Sequence, residues 1–311
     1  MLIFKQPVRI FELLNLDSIQ IIQSFMLTIF EKKKVTEKPA DLKLGLCLSG
    51  GGALGFAHIG VLQALLENGI EPDIISGASM GAIVGTFYAA GFTPAEMMQL
   101  IKDDRLYRLT KLMTFVPAFW KSGWSDHSTV ISLVKEIIPH NSFEGLQKKM
   151  FICVTNMNLA QWEIKSSGND LNVWVSASAS IPGMFEAQKS ENSYYLDGGL
   201  LNNLPTQPLK NLCSNIIGVD VLPHQAPTQL KKPIYAITKS IRLVQHVNSM
   251  EGRALCNYLI EPQALKHFNE FRFDAYEKIY QQGYKDTLEF IKNNPEILKL
   301  KKLSSPIPVK K

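Results

Sequence analysis

Five residues that follow an apolar run form a pattern able to hold a reactive serine. Residues 77–81 read Gly-Ala-Ser-Met-Gly, after Ile74 and Ile75 and before a small-residue run of helical character. In a G-x-S-x-G turn between a strand and a helix, the glycines keep side chains out of a sharp turn and leave the serine hydroxyl at the strand's end. The N-terminus of the helix favours negative charge there. Ser79 is therefore a candidate nucleophile, and the alternative is a serine that only caps the helix.

A glycine-rich stretch, Ser-Gly-Gly-Gly-Ala-Leu-Gly, ends at Gly55 and follows the preceding apolar run. Bare N–H groups in such a stretch bind negative charge, either a phosphate or an oxyanion that forms during a reaction. A dinucleotide site is disfavoured because the acidic ribose ligand is missing from a strand end; Glu71 precedes Pro72 at the start of the next strand. A P-loop is excluded because no Lys-Ser or Lys-Thr follows the glycines. The pattern favours an oxyanion site.

A serine nucleophile needs a base, and the chain offers an aspartate in a better position than its histidines. None of the six histidines falls in a turn at a strand end. His58, in the first predicted helix, lies nearest the glycines and is interpreted as a packed or supporting residue. Asp197, followed by Gly198 and Gly199, ends an apolar run and is expected to face the same crevice as Ser79. The alternative for this triplet is an ordinary β-turn.

The glycine stretch, the serine turn and the Asp-Gly-Gly triplet, in that order, resemble the patatin-like phospholipases, and the short bacterial members in particular. The similarity covers residues 44–220 and includes "SASASIPGMF" before the triplet. It implies a three-layer α/β/α sandwich with a mostly parallel central sheet, and hydrolysis of lipid acyl esters by a Ser-Asp dyad without histidine. Many members carry aspartate before the glycines, where this chain has Ser49; the N–H donors are unaffected.

The resemblance also implies roles for individual residues. Ser79 would be the nucleophile, Asp197 its base, and the N–H groups of Gly50, Gly51 and Gly52 the oxyanion hole. The glycines that match the motifs and support these turns are Gly55, Gly77, Gly81, Gly198 and Gly199. No cofactor and no metal are expected, since the chain lacks a calcium loop of the D-x-[DN]-x-[DN]-G type.

The elements that must position these residues alternate between strands and helices. Apolar runs that end near residues 48, 78, 157 and 222 are predicted to be buried strands, with amphipathic helices between and after them. This alternation predicts an α/β fold whose mostly parallel sheet is covered on both faces. The carboxyl ends of its parallel strands would then bring the glycine stretch and the serine turn together.

Composition and the resemblance together predict three parts of the chain. Residues 1–43 form an N-terminal segment with a charged linker, residues 44–295 the patatin-like domain, and residues 296–311 a basic tail. Residues 19–30 are apolar but too short to span a bilayer, and no cleavage site follows them; they indicate an amphipathic helix on the domain or an interfacial contact. The aromatic-rich residues 106–124 would form either the mouth of an acyl pocket or the core of a helical subdomain.

Composition excludes several classes of protein. The 311 residues are 46% hydrophobic and 20% charged, as in globular proteins, and the net charge of +5 is not gathered into an arm, so no nucleic-acid partner is expected. Four scattered cysteines favour a reduced, intracellular protein. The expected location is the cytoplasm, with the periphery of the inner membrane as the alternative. The expected partners are a lipid ester and, transiently, a membrane surface.

Three functions are compatible with these motifs. A lipid acyl hydrolase is favoured. An acyltransferase would use the same acyl-enzyme with an alcohol or thiol acceptor in place of water. An inactive lipid- or nucleotide-binding protein is disfavoured because nucleophile, base and donors are all present.

Overall fold

The computed structural model describes residues 43–102, 128–190, 192–224 and 233–301. Contacts divide the chain into two units, Met1–Asp41 and Leu42–Lys311, and only the second contains described residues. The domain boundaries predicted above stay predictions. In the described ranges, no helix combines the length and the hydropathy needed to cross a membrane.

Eight strands form one mixed sheet. They are β1 (Leu44–Leu48), β2 (Ile74–Ala78), β3 (Lys149–Asn156), β4 (Gln161–Lys165), β5 (Gln188–Ser190), β6 (Ser193–Asp197), β7 (Asn215–Val219) and β8 (Tyr258–Ile260). Their order is β5-β6-β3-β2-β1-β7-β8, and β4 also pairs with β3. Strands β3, β2, β1, β7 and β8 are parallel neighbours, whereas β4, β5 and β6 pair in antiparallel fashion.

The described helices lie between these strands and after them. They are α1 (Phe56–Glu67), α2 (Met80–Ala89), α3 (Pro94–Lys102), α4 (Ser128–Ile137), α5 (Leu171–Ser178), α6 (Pro233–Ala254) and α7 (Tyr276–Asn293). Short 3₁₀ helices cover Gly52–Gly55, Gly198–Leu200, Gln207–Leu209, Gln263–His267, Phe273–Ala275 and Pro295–Leu300.

Both faces of the sheet are covered, because alternate side chains of each buried strand enter different hydrophobic clusters. Leu46 and Ile75 join the large cluster that includes buried residues of α1, α2, α5 and α7. Cys47 and Phe151 point the other way, into a smaller cluster with Leu204 and Leu209 of the segment after β6. Helix α6 packs on that segment. The predicted three-layer fold with a mostly parallel sheet is confirmed.

One edge of β3 determines how β2 and β6 meet. Ala78 is opposite Cys153 of β3, Asp197 is opposite Val154, and β4 occupies the other edge at both positions. Strand β2 runs parallel to β3 and β6 runs antiparallel to it, so β2 and β6 approach each other head-on along the same edge. Their carboxyl ends therefore meet, which brings Ser79 and Asp197 together.

Candidate active site

Ser79 occupies a sharp turn between β2 and α2. Its φ is 53° and its ψ is −126°, a conformation that non-glycine residues rarely adopt and that costs about 1–3 kcal/mol. The flanking positions must be glycine because other backbone groups approach them closely. A Cβ on Gly77 would lie 2.6 Å from the carbonyl of Gly81, and a Cβ on Gly81 would collide with the carbonyl of Leu48. The turn therefore has the strained geometry expected for a serine nucleophile at a strand end, and Ser79 itself is only 4% exposed.

Asp197 ends β6 and is 2% exposed. Its Oδ1 accepts a hydrogen bond of 2.7 Å from the N–H of Gly199, and its backbone carbonyl accepts one of 2.9 Å from the hydroxyl of Thr155. Its Oδ2 is buried and has no hydrogen-bond partner that meets standard geometry among the described residues. The carboxylate is thus held through one oxygen, while the other is available to accept a proton.

The protonation state of Asp197 depends mainly on its burial. Burial raises the pKa of Asp197 from 3.8 to about 7, against the opposing effects of the Ser79 hydroxyl and the Gly199 N–H. The Ser79 hydroxyl therefore lies close enough to stabilise the carboxylate. It does not form a hydrogen bond of standard geometry with Oδ2. A carboxylate with a pKa near neutrality is a stronger base than an ordinary aspartate and is still ionised in a large fraction of molecules at pH 7.

The glycine loop follows β1 and lies against Ser79. A Cβ placed on Gly50 would be 3.1 Å from the Cβ of Ser79. The N–H of Gly50 donates to the carbonyl of Asn203 at 3.2 Å, so it is not free for an oxyanion in this conformation. In the described part of the chain, the N–H groups of Gly51 and Gly52 have no acceptor. Two of the three predicted donors therefore have no competing acceptor among the described residues.

Ser49 and His58 hold the beginning of this loop. The hydroxyl of Ser49 donates to the carbonyl of Gly50 and accepts from the N–H of Val221, each at 3.0 Å. The ring Nε2 of His58 lies 2.8 Å from the carbonyl of Ser49. Burial lowers the pKa of His58 to about 4, so the ring is neutral at pH 7 and its Nε2–H is the donor. His58 supports the loop, as predicted from its place in α1.

The remaining motif glycines allow close backbone approaches. A Cβ on Gly55 would overlap the side chain of Met80, and one on Gly198 would overlap the carbonyl of Cys153. A Cβ on Gly199 would lie 2.5 Å from Oδ1 of Asn203. The structure thus brings the first glycine of the loop, the serine turn and the Asp-Gly-Gly triplet close together.

Two asparagines join this cluster without having been predicted. Asn203 contributes the carbonyl that binds Gly50, and its own N–H donates to Oδ1 of Asn248 at 2.8 Å. The amide of Asn248 donates to the carbonyls of Gly199 and Leu200. Asn203 lies in the "NNLP" that follows the triplet, but Asn248 lies in α6, 45 residues away, and no local signal connects them.

Histidines and metal-binding side chains are the other groups that could take part in catalysis. Across the described residues, no histidine forms a hydrogen bond with Ser79 or Asp197, and no three His, Cys, Asp or Glu side chains are grouped to hold a metal ion. His127, the aromatic residues 106–124 and the apolar residues 19–30 lie outside the described residues. The Ser-Asp dyad that the resemblance implies therefore stays a prediction.

Comparison with known proteins agrees with these motifs. A family model described as Patatin-like phospholipase matches residues 46–210, more than half of the chain. Lysophospholipase NTE1 of Pyricularia oryzae is 27% identical over 281 residues, which cover 80% of this chain and 18% of that protein. Lysophospholipase nte1 of Aspergillus fumigatus is 32% identical over 186 residues, which cover 57% and 12%. The chain thus spans less than a fifth of the length of these curated relatives.

Among solved structures, VipD from Legionella pneumophila superposes with a TM-score of 0.48 and 16% identity, over 82% of this chain and 67% of that one. The match of the family model includes the glycine loop, the serine turn and the Asp-Gly-Gly triplet, which the structure assembles at one edge of the sheet. The chain belongs to the patatin-like phospholipase family.

Proposed function

We propose that the chain hydrolyses carboxylic esters of lipids, with Ser79 as nucleophile and Asp197 as its base. The observation that carries this proposal is the head-on meeting of β2 and β6, which joins a serine at positive φ to a buried carboxylate with a pKa of about 7. The N–H groups of Gly51 and Gly52 are proposed as the oxyanion donors. The relatives are named lysophospholipases, so a lysophospholipid is the first substrate to test.

Acylation begins when Asp197 accepts the proton of the Ser79 hydroxyl as the oxygen attacks the ester carbonyl carbon. The carbonyl oxygen becomes an anion, and preorganised N–H donors stabilise it more than they stabilise the neutral ester. Collapse of the tetrahedral intermediate breaks the bond to the alcohol, which leaves with the proton from Asp197. The acyl group remains on Ser79.

Deacylation repeats these steps with water as the nucleophile. Asp197 accepts a proton from water, the hydroxide oxygen bonds to the acyl carbon, and the same donors hold the second oxyanion. Release of the fatty acid returns the proton to the Ser79 oxygen. One carboxylate thus serves as base and acid in turn, for which a pKa close to the operating pH is best suited.

Incubation of the purified chain with lysophosphatidylcholine, phosphatidylcholine, diacylglycerol and p-nitrophenyl butyrate tests the proposal. Release of free fatty acid or nitrophenol by the wild type, and none by Ser79→Ala, is the expected result. Absence of release from every ester by a folded wild type would overturn the proposed function.

The glycine loop is expected to act in the transition state. In Gly52→Ala the new Cβ would sit 2.6 Å from the backbone carbonyl of Glu270 at a φ of +54°, so the loop must shift and its N–H donors move with it. Loss of an oxyanion donor lowers kcat by roughly 10²–10³-fold, with less effect on KM. Steady-state kinetics on one ester measures both.

Gly168→Ala is the matched control for backbone strain. Gly168 also has a positive φ, +87°, but no atom lies within 4 Å of the Cβ position. It is expected to lose some stability and to keep its kcat. A Gly52→Ala enzyme that is folded and shows only a raised KM would instead indicate a static anion-binding site.

A further inference from the structure

The last residue of α5 contacts the main chain of Ser79 directly. The hydroxyl of Ser178 accepts a hydrogen bond of 2.9 Å from the N–H of Ser79. The same hydroxyl donates to the carbonyl of Cys153 at 2.7 Å, and the side chain is fully buried. Cys153 is the β3 residue opposite Ala78, which immediately precedes Ser79. Ser178 therefore ties the serine turn to the strand on which both halves of the site depend.

The other half of the site is held by the same short segment. Two residues after Ser178, the backbone carbonyl of Ser180 accepts a hydrogen bond of 3.0 Å from the N–H of Asp197. Ser180 is buried as well, and its hydroxyl donates to the carbonyl of Ser176. Residues 178–180 thus bind the main chain of Ser79 at one end and that of Asp197 at the other.

We propose that Ser178 is a positioning residue for the reaction: its hydroxyl fixes the main chain of Ser79 so that the Ser79 oxygen faces Asp197. The inference rests on the proposed function and adds to it a residue that touches neither the substrate nor the reacting atoms. It also assigns a role to the "SASAS" stretch, which the catalytic mechanism leaves unused.

The physical reason is the strain at Ser79. A residue held at positive φ keeps that conformation only when its surroundings over-determine it. The N–H of Ser79 is buried, and the Ser178 hydroxyl is its acceptor. Removing that acceptor leaves a buried donor without a partner, which costs free energy. Rotation of the turn toward another acceptor then becomes favourable. Rotation of the peptide would carry the Ser79 oxygen away from Asp197.

Ser178→Ala is expected to lower kcat by on the order of 10²-fold, because small displacements of a reacting group have effects of that size. KM should be unchanged, since Ser178 has no contact with substrate in the proposed mechanism. The rate of Ser79 labelling by a fluorophosphonate should fall in parallel. If the alanine variant does not fold, Ser178→Cys takes its place, because it keeps the packing and replaces the hydroxyl by a poor acceptor. It should show the same fall in kcat at an unchanged KM.

Thr287→Val is the matched control, because it removes a buried hydroxyl that bonds to a carbonyl of its own helix, α7, and that the proposed mechanism does not use. It should retain the kcat and the labelling rate of the wild type. A folded Ser178 variant with wild-type kcat, or an equal loss of kcat in Thr287→Val, would overturn the positioning role alone. A wild type that neither hydrolyses esters nor reacts with the fluorophosphonate would overturn the proposed function and the positioning role together.

Discussion

Replacing Asp197 by asparagine is expected to lower kcat by roughly 10²–10⁴-fold, the usual loss when a general base is removed. The variant keeps the shape of the side chain and an oxygen to accept the N–H of Gly199, but an amide cannot take up the proton of Ser79. Because the carboxylate is buried, no water-exposed group replaces it easily. Steady-state hydrolysis of a p-nitrophenyl ester measures the loss, and thermal unfolding checks that the variant is folded.

The histidines provide the contrast to this variant. Single alanine substitutions of the six histidines should leave most activity, with His58→Ala causing a partial loss because its ring supports the carbonyl of Ser49. An active Asp197→Asn variant beside a folded, inactive histidine variant would make the enzyme a triad hydrolase. The residues concerned are His58, His127, His140, His224, His246 and His267.

Ser79→Ala is expected to abolish both turnover and covalent labelling. Loss of a serine nucleophile lowers kcat by roughly 10⁴-fold or more, because no neighbouring group replaces the attacking oxygen. The alanine variant keeps the N–H that binds Ser178, so the turn between β2 and α2 should persist. Labelling with a fluorophosphonate, followed by gel detection, measures the effect.

Thr287→Val is again the appropriate comparison for labelling, since it removes a buried hydroxyl that the proposed mechanism does not use. It should be labelled like the wild type. Labelling of Ser79→Ala at the rate of the wild type would show that another residue is the nucleophile.

The sequence predicted those parts of the site that depend on local pattern. The serine turn lies between a short apolar strand and a helix, and the structure has β2 ending at Ala78 and α2 beginning at Met80. The glycine loop follows β1 in the same way. Because β1 and β2 are parallel neighbours, their carboxyl ends share one edge, as the alternation of elements predicted.

Other parts depend on contacts between distant residues. Strand β6 is antiparallel to β3, and nothing in its five residues distinguishes this direction from a parallel one. The N–H of Gly50, one of the predicted oxyanion donors, binds the carbonyl of Asn203, which lies more than a hundred residues away in the sequence. This contact depends on the tertiary fold, and the local sequence does not indicate it. The raised pKa of Asp197 likewise follows from burial, which the order of residues in the triplet does not reveal.

The same pKa predicts how pH affects stability. The folded pKa of Asp197, about 7, lies above the unfolded value of 3.8. Between these values the folded protein holds a proton that the unfolded chain has lost, so this group makes folding less favourable as pH rises through that window. Asp197→Asn should therefore lose less stability than the wild type, or gain more, as pH rises from about 4 to about 7, as measured by denaturant unfolding.

The central claim is that buried Asp197 activates Ser79. The most direct test is the rate at which a fluorophosphonate modifies Ser79, located by peptide mass spectrometry, from about pH 5 to about pH 9. We expect the adduct on Ser79, a rate that rises with an apparent pKa near 7 in the wild type, and a much slower reaction in Asp197→Asn. An adduct on another residue, or an Asp197→Asn variant that reacts at the wild-type rate with the same pH profile, would contradict the account.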